Sequence, residues 1–503
     1  MSVTAPSAKA MTLLLLFALV FVTGAPRVRS ADSDDQDTTT PIKHVVVIFQ
    51  ENVSFDHYFA TYPFATNPSG EPRFKPRPDT PTVNGLNPAL LSSNQNSANP
   101  FRFDRSHAAT CDQNHDYMPE QQAYHAGLVD KFLEFAGNGP GTDGTIVCNK
   151  SDVMGYFDGN TVTALWNYAQ RFAMNDNSFN TVFGPSTPGA LNLISGQTHG
   201  VTASVGDISE DVVNGTVIGD PQPLNDGCDT REAVQVSGQN VGDLLNAKGI
   251  TWGWFQGGFS SCSASHIGAD GKAKKDYIPH HEPFQYYTTT ANLTHKPPAS
   301  VSEIGHNGQA NHQYDLTNFW DALANGNLPS VSYLKAPGYQ DGHAGYSSPL
   351  LEQQFLVETI NRLQKSPEWK EIAIIIAYDD SDGWYDHVMP PIVSQSNTSQ
   401  DALTGTDCGH AKAGEFQGRC GYGPRLPLLV ISPFARRNFV DNTLTDQSSI
   451  LRFIEDNWSL GRIGNQSFDA RAGTITNMFD FGGPHRERLI LDATTGQVVD
   501  DDD

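Results

Sequence analysis

Two apolar runs in this chain end in pairs of oxygen-bearing side chains. Residues 44–49, rich in β-branched side chains, lead into Glu51-Asn52, and residues 372–378 lead into Asp379-Asp380. Ligands of open α/β sheets bind outside the carboxyl ends of the strands, so the residues just after each run are the first place to look for chemistry. Carboxylate oxygens suit a hard divalent cation, and an amide such as Asn52 adds a donor without adding charge. Such a donor set is compatible with calcium, magnesium, manganese or zinc. Taken singly, each pair reads equally well as an acidic loop start that caps a helix.

A third segment, Gly184-Pro185-Ser186-Thr187-Pro188, supplies a hydroxyl. Pro188 suits the first turn of a helix, which places Ser186 at a helix N-terminus, where free N–H groups and the dipole favour an anion. A serine there caps the helix or, beside a metal ion, becomes a nucleophile. The segment does not match the G-x-S-x-G elbow, which argues against carboxylic ester chemistry. A leaving oxygen needs a proton, and imidazole is matched to that task near neutral or mildly acid pH. His115, His281 and His343 are the catalytic candidates. His280 and Asn52 are candidates for substrate contact, while His57 and His387 read as packing or ligand-orienting residues.

The elements that would position these groups alternate. Residues 44–49, 372–378 and 426–431 form continuous apolar runs, with a weaker one at 331–334, and such runs fit strands covered on both faces, as in a parallel sheet. Segments 162–172, 241–247, 350–363 and 448–458 carry apolar residues at helical spacing. Alternation of this kind argues for one α/β domain over residues 31–503, with the Gly- and Asn-rich stretches 67–99, 198–229 and 394–416 as surface insertions. Trp252, Trp254 and Phe255 read as core filler around a strand.

Residues 1–30 read as an export signal: Lys9 precedes the apolar run 11–22, and small residues Gly24, Ala25, Ser30 and Ala31 follow. That run is short for a bilayer span, so stable membrane insertion is not expected. The net charge is −24, and removal of Lys9, Arg27 and Arg29 makes it three units more negative. Such a polyanion repels nucleic acid at long range. The six cysteines fall as the sequence neighbours Cys111/Cys148, Cys228/Cys262 and Cys408/Cys420, which read as loop staples, although 15 connectivities are possible. A secreted or periplasmic location follows from both features. Sequons occur at Asn149, Asn214, Asn292, Asn397, Asn457 and Asn465. Asn52 lies in a seventh, where a glycan would block the metal candidates.

The order Glu51-Asn52-x-Ser54-Phe55-Asp56-His57, Gly184-Pro185-Ser186-x-Pro188 and Tyr378-Asp379-Asp380-x-x-Gly383-x-Tyr385-Asp386-His387 resembles the bacterial phospholipase C and acid phosphatase phosphoesterase family. Residues 276–287 extend the resemblance across nearly the whole chain. It implies an alkaline-phosphatase-like α/β sandwich, with a central, mostly parallel sheet flanked by helices and long loop insertions. It also implies one divalent metal ion held by Glu51, Asn52, Asp379 and Asp380, with Ser186 as the attacking hydroxyl. The expected substrate is a small phosphate ester or a phospholipid. The chain ends soon after these motifs, which leans toward an acid phosphatase or an enzyme with both acid phosphatase and phospholipase C activity. Two positions depart from the common pattern: Val53 stands where many members carry Arg, and Gly189 where many carry Asn. The rival expectation is a non-catalytic, cation-stabilised surface or binding protein with the same fold. Oligomeric state is left open.

Overall fold

The computed structural model describes residues 1–4, 37–228, 231–485 and 488–501; the apolar run 11–22 lies outside them. Its central sheet has eight strands. In chain order they are β1 (His44–Gln50), β2 (Ala173–Asn175), β3 (Trp252–Gln256), β4 (Gln313–Asp315), β5 (Val331–Lys335), β6 (Ile372–Tyr378), β7 (Leu428–Ile431) and β8 (Phe439–Asp441). Their spatial order is β4-β3-β5-β1-β6-β7-β2-β8. The first five of that order run parallel, and β2 pairs parallel with β8. Only β7 runs against its neighbours β6 and β2.

β1 and β6 are the middle of the hydrophobic core. Val45 to Phe49 and Ile372 to Ile376 are completely buried, as continuous apolar runs require when both faces are covered. Trp252, Trp254 and Phe255 on β3 are buried as well, which bears out their reading as core. The run 426–431 needs a correction of direction. It forms a strand from Leu428, but an antiparallel one. An apolar run reports burial, and burial is the same for either direction; Pro427, which has no N–H to donate, marks the start. The short strands β2, β4 and β8 have too few residues to stand out in hydropathy.

The helices needed here are α1 (Tyr117–Tyr124), α2 (Thr163–Arg171), α3 (Ser186–Ser195), α4 (Val241–Lys248), α5 (Leu316–Ala324), α6 (Pro349–Lys365) and α7 (Gln447–Asn457). Start and stop signals explain their ends. Ser348 caps α6 with Pro349 in its first turn, and Asp446 caps α7 through the Ser448 N–H. α3 stops at Gly196, whose φ of 62° is the left-handed conformation that closes a helix.

The chain divides into two units, Met1–Gln36 and Asp37–Asp503, and the second holds every element above. Disulfides join Cys111 to Cys148, Cys228 to Cys262 and Cys408 to Cys420. Of the sequon asparagines, Asn292 and Asn457 are buried and donate their amide N–H to the carbonyls of Lys296 and Ile42, at 2.9 and 3.1 Å. Neither has room for a glycan; Asn149, Asn214, Asn397 and Asn465 are exposed. Among the described residues no helix is long and apolar enough to cross a membrane.

Candidate active site

Strand register brings the two oxygen pairs together. β1 and β6 are adjacent and parallel, with Gln50 opposite Tyr378, so Glu51 and Asp379 leave the sheet side by side. Asn52 then takes a φ of 58°, a left-handed turn that asparagine tolerates. Its N–H donates to Asp379 Oδ1 at 3.0 Å, and the Asp380 N–H donates to the same oxygen at 2.8 Å. From the start of α7, Gln447 donates to the Asp379 carbonyl at 2.5 Å. α3 approaches that carbonyl so closely that a Cβ on Gly189 would lie 2.0 Å from its oxygen. The departure at residue 189 is therefore a packing requirement of this chain.

Ser186 opens α3 and is buried. Its Oγ lies 3.1 Å from Asp380 Oδ2 and 3.3 Å from Glu51 Oε2, linking the two strand ends. The Thr187 N–H, one residue on, donates to Asp220 Oδ1 at 2.8 Å. Glu51, Asn52, Asp379, Asp380 and Ser186 thus form one buried cluster.

The histidines are distributed around it unequally. His281 Nδ1 is 3.1 Å from Glu51 Oε1. His115 Nε2 is 3.3 Å from the Asn52 side-chain nitrogen, and its Nδ1 meets the Gln113 carbonyl at 2.8 Å. His343 does not touch the cluster directly; its ring lies 6.1 Å from that of His115, and its Nδ1 meets the Ala344 carbonyl at 2.5 Å. His280 stacks edge-on against His281 at 4.4 Å and receives a hydrogen bond from Gln222 at 3.1 Å. His57 lies 4.0 Å from Trp384 in a stacked pair and meets the Gly155 carbonyl, and His387 Nδ1 meets Asp56 at 2.6 Å.

Charge is crowded here. Burial, then the neighbouring Asp379, pushes the carboxyls of Glu51 and Asp380 well above the usual range. Burial acts on Asp379 too, but the Lys335 ammonium and its hydrogen bonds hold it below that range. Burial opposes charge on His115 as well, yet Asp380, Asp112 and Asp382 outweigh it and raise the imidazole. Burial lowers His280, His281 and His343, the last to about 4. Two oxygens of the cluster, Asn52 Oδ1 and Asp379 Oδ2, are buried and accept no hydrogen bond. Orphaned hard donors among carboxylates that one ammonium compensates only in part fit a divalent cation. Acids and histidines also gather, with ligand atoms within 4.8 Å, as Glu51/His281/Asp341, as Asp112/His115/His343/Asp382 and as Asp56/Asp386/His387.

The fold places several residues here that sequence reasoning did not single out. Lys335 ends β5 and touches Glu51, with its Nζ 3.7 Å from Asp379 Oδ2. It follows the run 331–334, so the rule that found Glu51 and Asp379 would have found it one residue further on. Asp382 donates its N–H to Asp380 and accepts from Asn52. On α1, Glu120 accepts from Ser381 and from the Gly184 N–H. Arg425, fully buried, bridges Asp56 and Asp386 at 3.0 and 3.1 Å, tying the segments that follow the two oxygen-bearing pairs to each other. A lone arginine on a loop carries no sequence signal for that role.

Residues 42–461 match the model of the Phosphoesterase family. The chain belongs to that family. It is 26% identical to the non-hemolytic phospholipase C of Pseudomonas aeruginosa over 469 residues, which covers 89% of this chain and 58% of that protein. It is 24% identical to phospholipase C B of Mycobacterium tuberculosis, covering 88% of this chain and 79% of that protein. The chain spans about three fifths of the first of these relatives, at 58%. A solved structure of an alkaline phosphatase superfamily protein from Vibrio parahaemolyticus aligns over 82% of this chain and 79% of its own, with a TM-score of 0.29 and 10% identity. The α/β architecture with a mostly parallel central sheet agrees with the fold class expected from the family motifs.

Proposed function

We propose that this member of the Phosphoesterase family is an exported hydrolase of phosphate esters that uses Ser186 as its nucleophile. The observation that carries the reading is the Ser186 Oγ held between Asp380 Oδ2 and Glu51 Oε2 at the start of α3. Glu51, Asn52, Asp379 and Asp380 would hold one divalent ion, the orphaned Asn52 and Asp379 oxygens being the reason to assign them to it. When bound, that ion supplies charge neutralisation for the phosphoryl oxygens and the serine alkoxide. Three disulfides support export to the periplasm or medium.

The residues of the chain do the rest. Ser186 gives its proton to a carboxylate, Asp380 Oδ2 being the nearer, and its oxygen bonds phosphorus as the bond to the leaving oxygen breaks. His281 is tied to Glu51 and acts as a positioning residue for that carboxylate. His115, whose imidazole its acidic neighbours raise, is left to protonate the leaving oxygen, with His343 behind it and His280 and Asn52 beside the substrate. Water then attacks the phosphoserine, releases phosphate or a phosphorylated head group, and restores Ser186.

The test is purified Ser186→Ala assayed on an aryl phosphate monoester and on phosphatidylcholine. Loss of about a thousandfold or more in kcat on the preferred substrate is expected. Full activity of the variant on both substrates would end the serine mechanism. The wild-type ratio on the two substrates assigns the subclass, acid phosphatase or phospholipase C. Wild-type protein that is inactive on both but binds divalent ions would favour the non-catalytic reading.

A further inference from the structure

Lys335 is a lysine with almost no contact with water. It is the last residue of β5, in register with Gln256 of β3, and its side chain is 1% exposed. A buried ammonium is costly unless it is paired and hydrogen-bonded, so its partners define its role. They are the Oε1 of Glu51, with which it is in direct contact, and the Oδ2 of Asp379 at 3.7 Å. The Phe49 ring, 5.1 Å away, supplies an additional face for the charge. His281 shares the same Glu51 oxygen. The two oxygens of Glu51 are therefore divided: Oε1 faces Lys335 and His281, and Oε2 faces Ser186.

We propose that Lys335 is a built-in counter-cation and positioning residue of the ion site, occupying one oxygen of Glu51 and standing by one of Asp379 so that a single divalent ion completes the site. This rests on the metal-site reading above. With an ion bound, the three carboxylates Glu51, Asp379 and Asp380 would carry three negative charges, while Asn52 carries none. One ammonium and one divalent ion balance them. Lys335 and the ion repel each other and share two of the same carboxylates, so the lysine holds the ion's affinity down while aiming Glu51 Oε2 at the nucleophile. Asp379 Oδ2 accepts no hydrogen bond and sits 3.7 Å from the ammonium, so it would remain open to an ion.

The experiment is calorimetric titration of manganese(II) into chelator-treated wild type, Lys335→Met and Lys335→Arg, with kcat measured on the same samples. Lys335→Met is expected to bind the ion about tenfold or more tightly, because a like charge is removed and both carboxylates gain a free oxygen. Its kcat is expected to fall. A gain in affinity is not something damage to packing produces. Lys335→Arg, which keeps the charge, is expected to bind within about threefold of wild type. Unchanged or weaker binding by Lys335→Met, with wild type binding one ion, would overturn the proposal. Wild type that binds no ion would overturn the metal-site reading instead.

Discussion

Gly189→Ala puts a methyl group where α3 meets the end of β6 at the candidate site. In an exposed helix interior the same change stabilises by about 1 kcal/mol, because alanine is the better helix former. Here the new Cβ would lie 2.0 Å from the Asp379 carbonyl oxygen, 2.8 Å from its carbon and 2.9 Å from the Gln447 side-chain nitrogen. The first two are backbone atoms at the end of a fully buried strand, so relief requires α3 and β6 to part by roughly 1 Å. Overpacking of this kind costs about 3 kcal/mol at the upper end of its range, which leaves a net loss of ~2 kcal/mol after the propensity gain. The same shift moves Ser186 against Asp380, and a misplacement of ~1 Å in a reacting pair costs about a hundredfold in rate. Urea unfolding and aryl phosphate turnover measure the two effects on one preparation. A variant as stable as wild type with unchanged kcat would refute the close approach and the link drawn from it to catalysis.

Arg425→Met leaves the buried carboxylates of Asp56 and Asp386 without their shared cation, and is expected to lower stability by about 3–5 kcal/mol in urea unfolding. A loss under about 1 kcal/mol would mean the two carboxylates do not depend on it. Glu352 is buried between the hydroxyls of Tyr58 and Tyr378, and burial raises its carboxyl to about 8 from an unfolded 4.5. A raised folded value makes its contribution full below pH 4.5 and lost as pH rises through about 8. Thermal stability is therefore expected to fall between pH 5 and pH 8, with a shallower slope in Glu352→Gln; identical slopes would remove Glu352 from the account. Chelation with EDTA is expected to abolish turnover, and added divalent ion to restore it; an unaffected rate would exclude the ion from the reaction.

The site was legible in parts that obey local rules. Apolar runs marked β1, β5, β6 and β7, and polar residues at the strand ends marked Glu51, Asn52, Asp379 and Asp380, because ligands meet parallel sheets at that edge. Helical periodicity located α2, α4, α6 and α7 to within about two residues, the usual scatter of helix ends. What could not be read is adjacency. No local pattern says that β1 lies between β5 and β6, yet that order alone brings Lys335, Glu51 and Asp379 to one point. The reversed direction of β7 escaped for a related reason, since its pairing partners are distant in sequence. Arg425 and Glu120 act through contacts with residues more than 200 positions away in one or more cases, and their types alone do not announce them.

The two halves of the candidate site are held by different means, and that predicts how each responds to change. Asp379 is fixed by the backbone: two N–H groups on one carboxylate oxygen, Gln447 on its carbonyl, and α3 pressed against it at Gly189. Glu51 is fixed by side chains, Lys335 and His281 on one oxygen and Ser186 on the other. Backbone contacts cannot yield without disturbing the core, so changes beside Asp379 lower stability and rate together. Side-chain contacts can be replaced by a bound cation, so changes beside Glu51 alter ion affinity first and stability less. His281→Ala and Gly189→Ala separate the cases: the first is expected to shift manganese(II) affinity with a small loss in the unfolding midpoint, the second to do the reverse. Equal effects of both on both readouts would show that the two halves respond as one rigid unit.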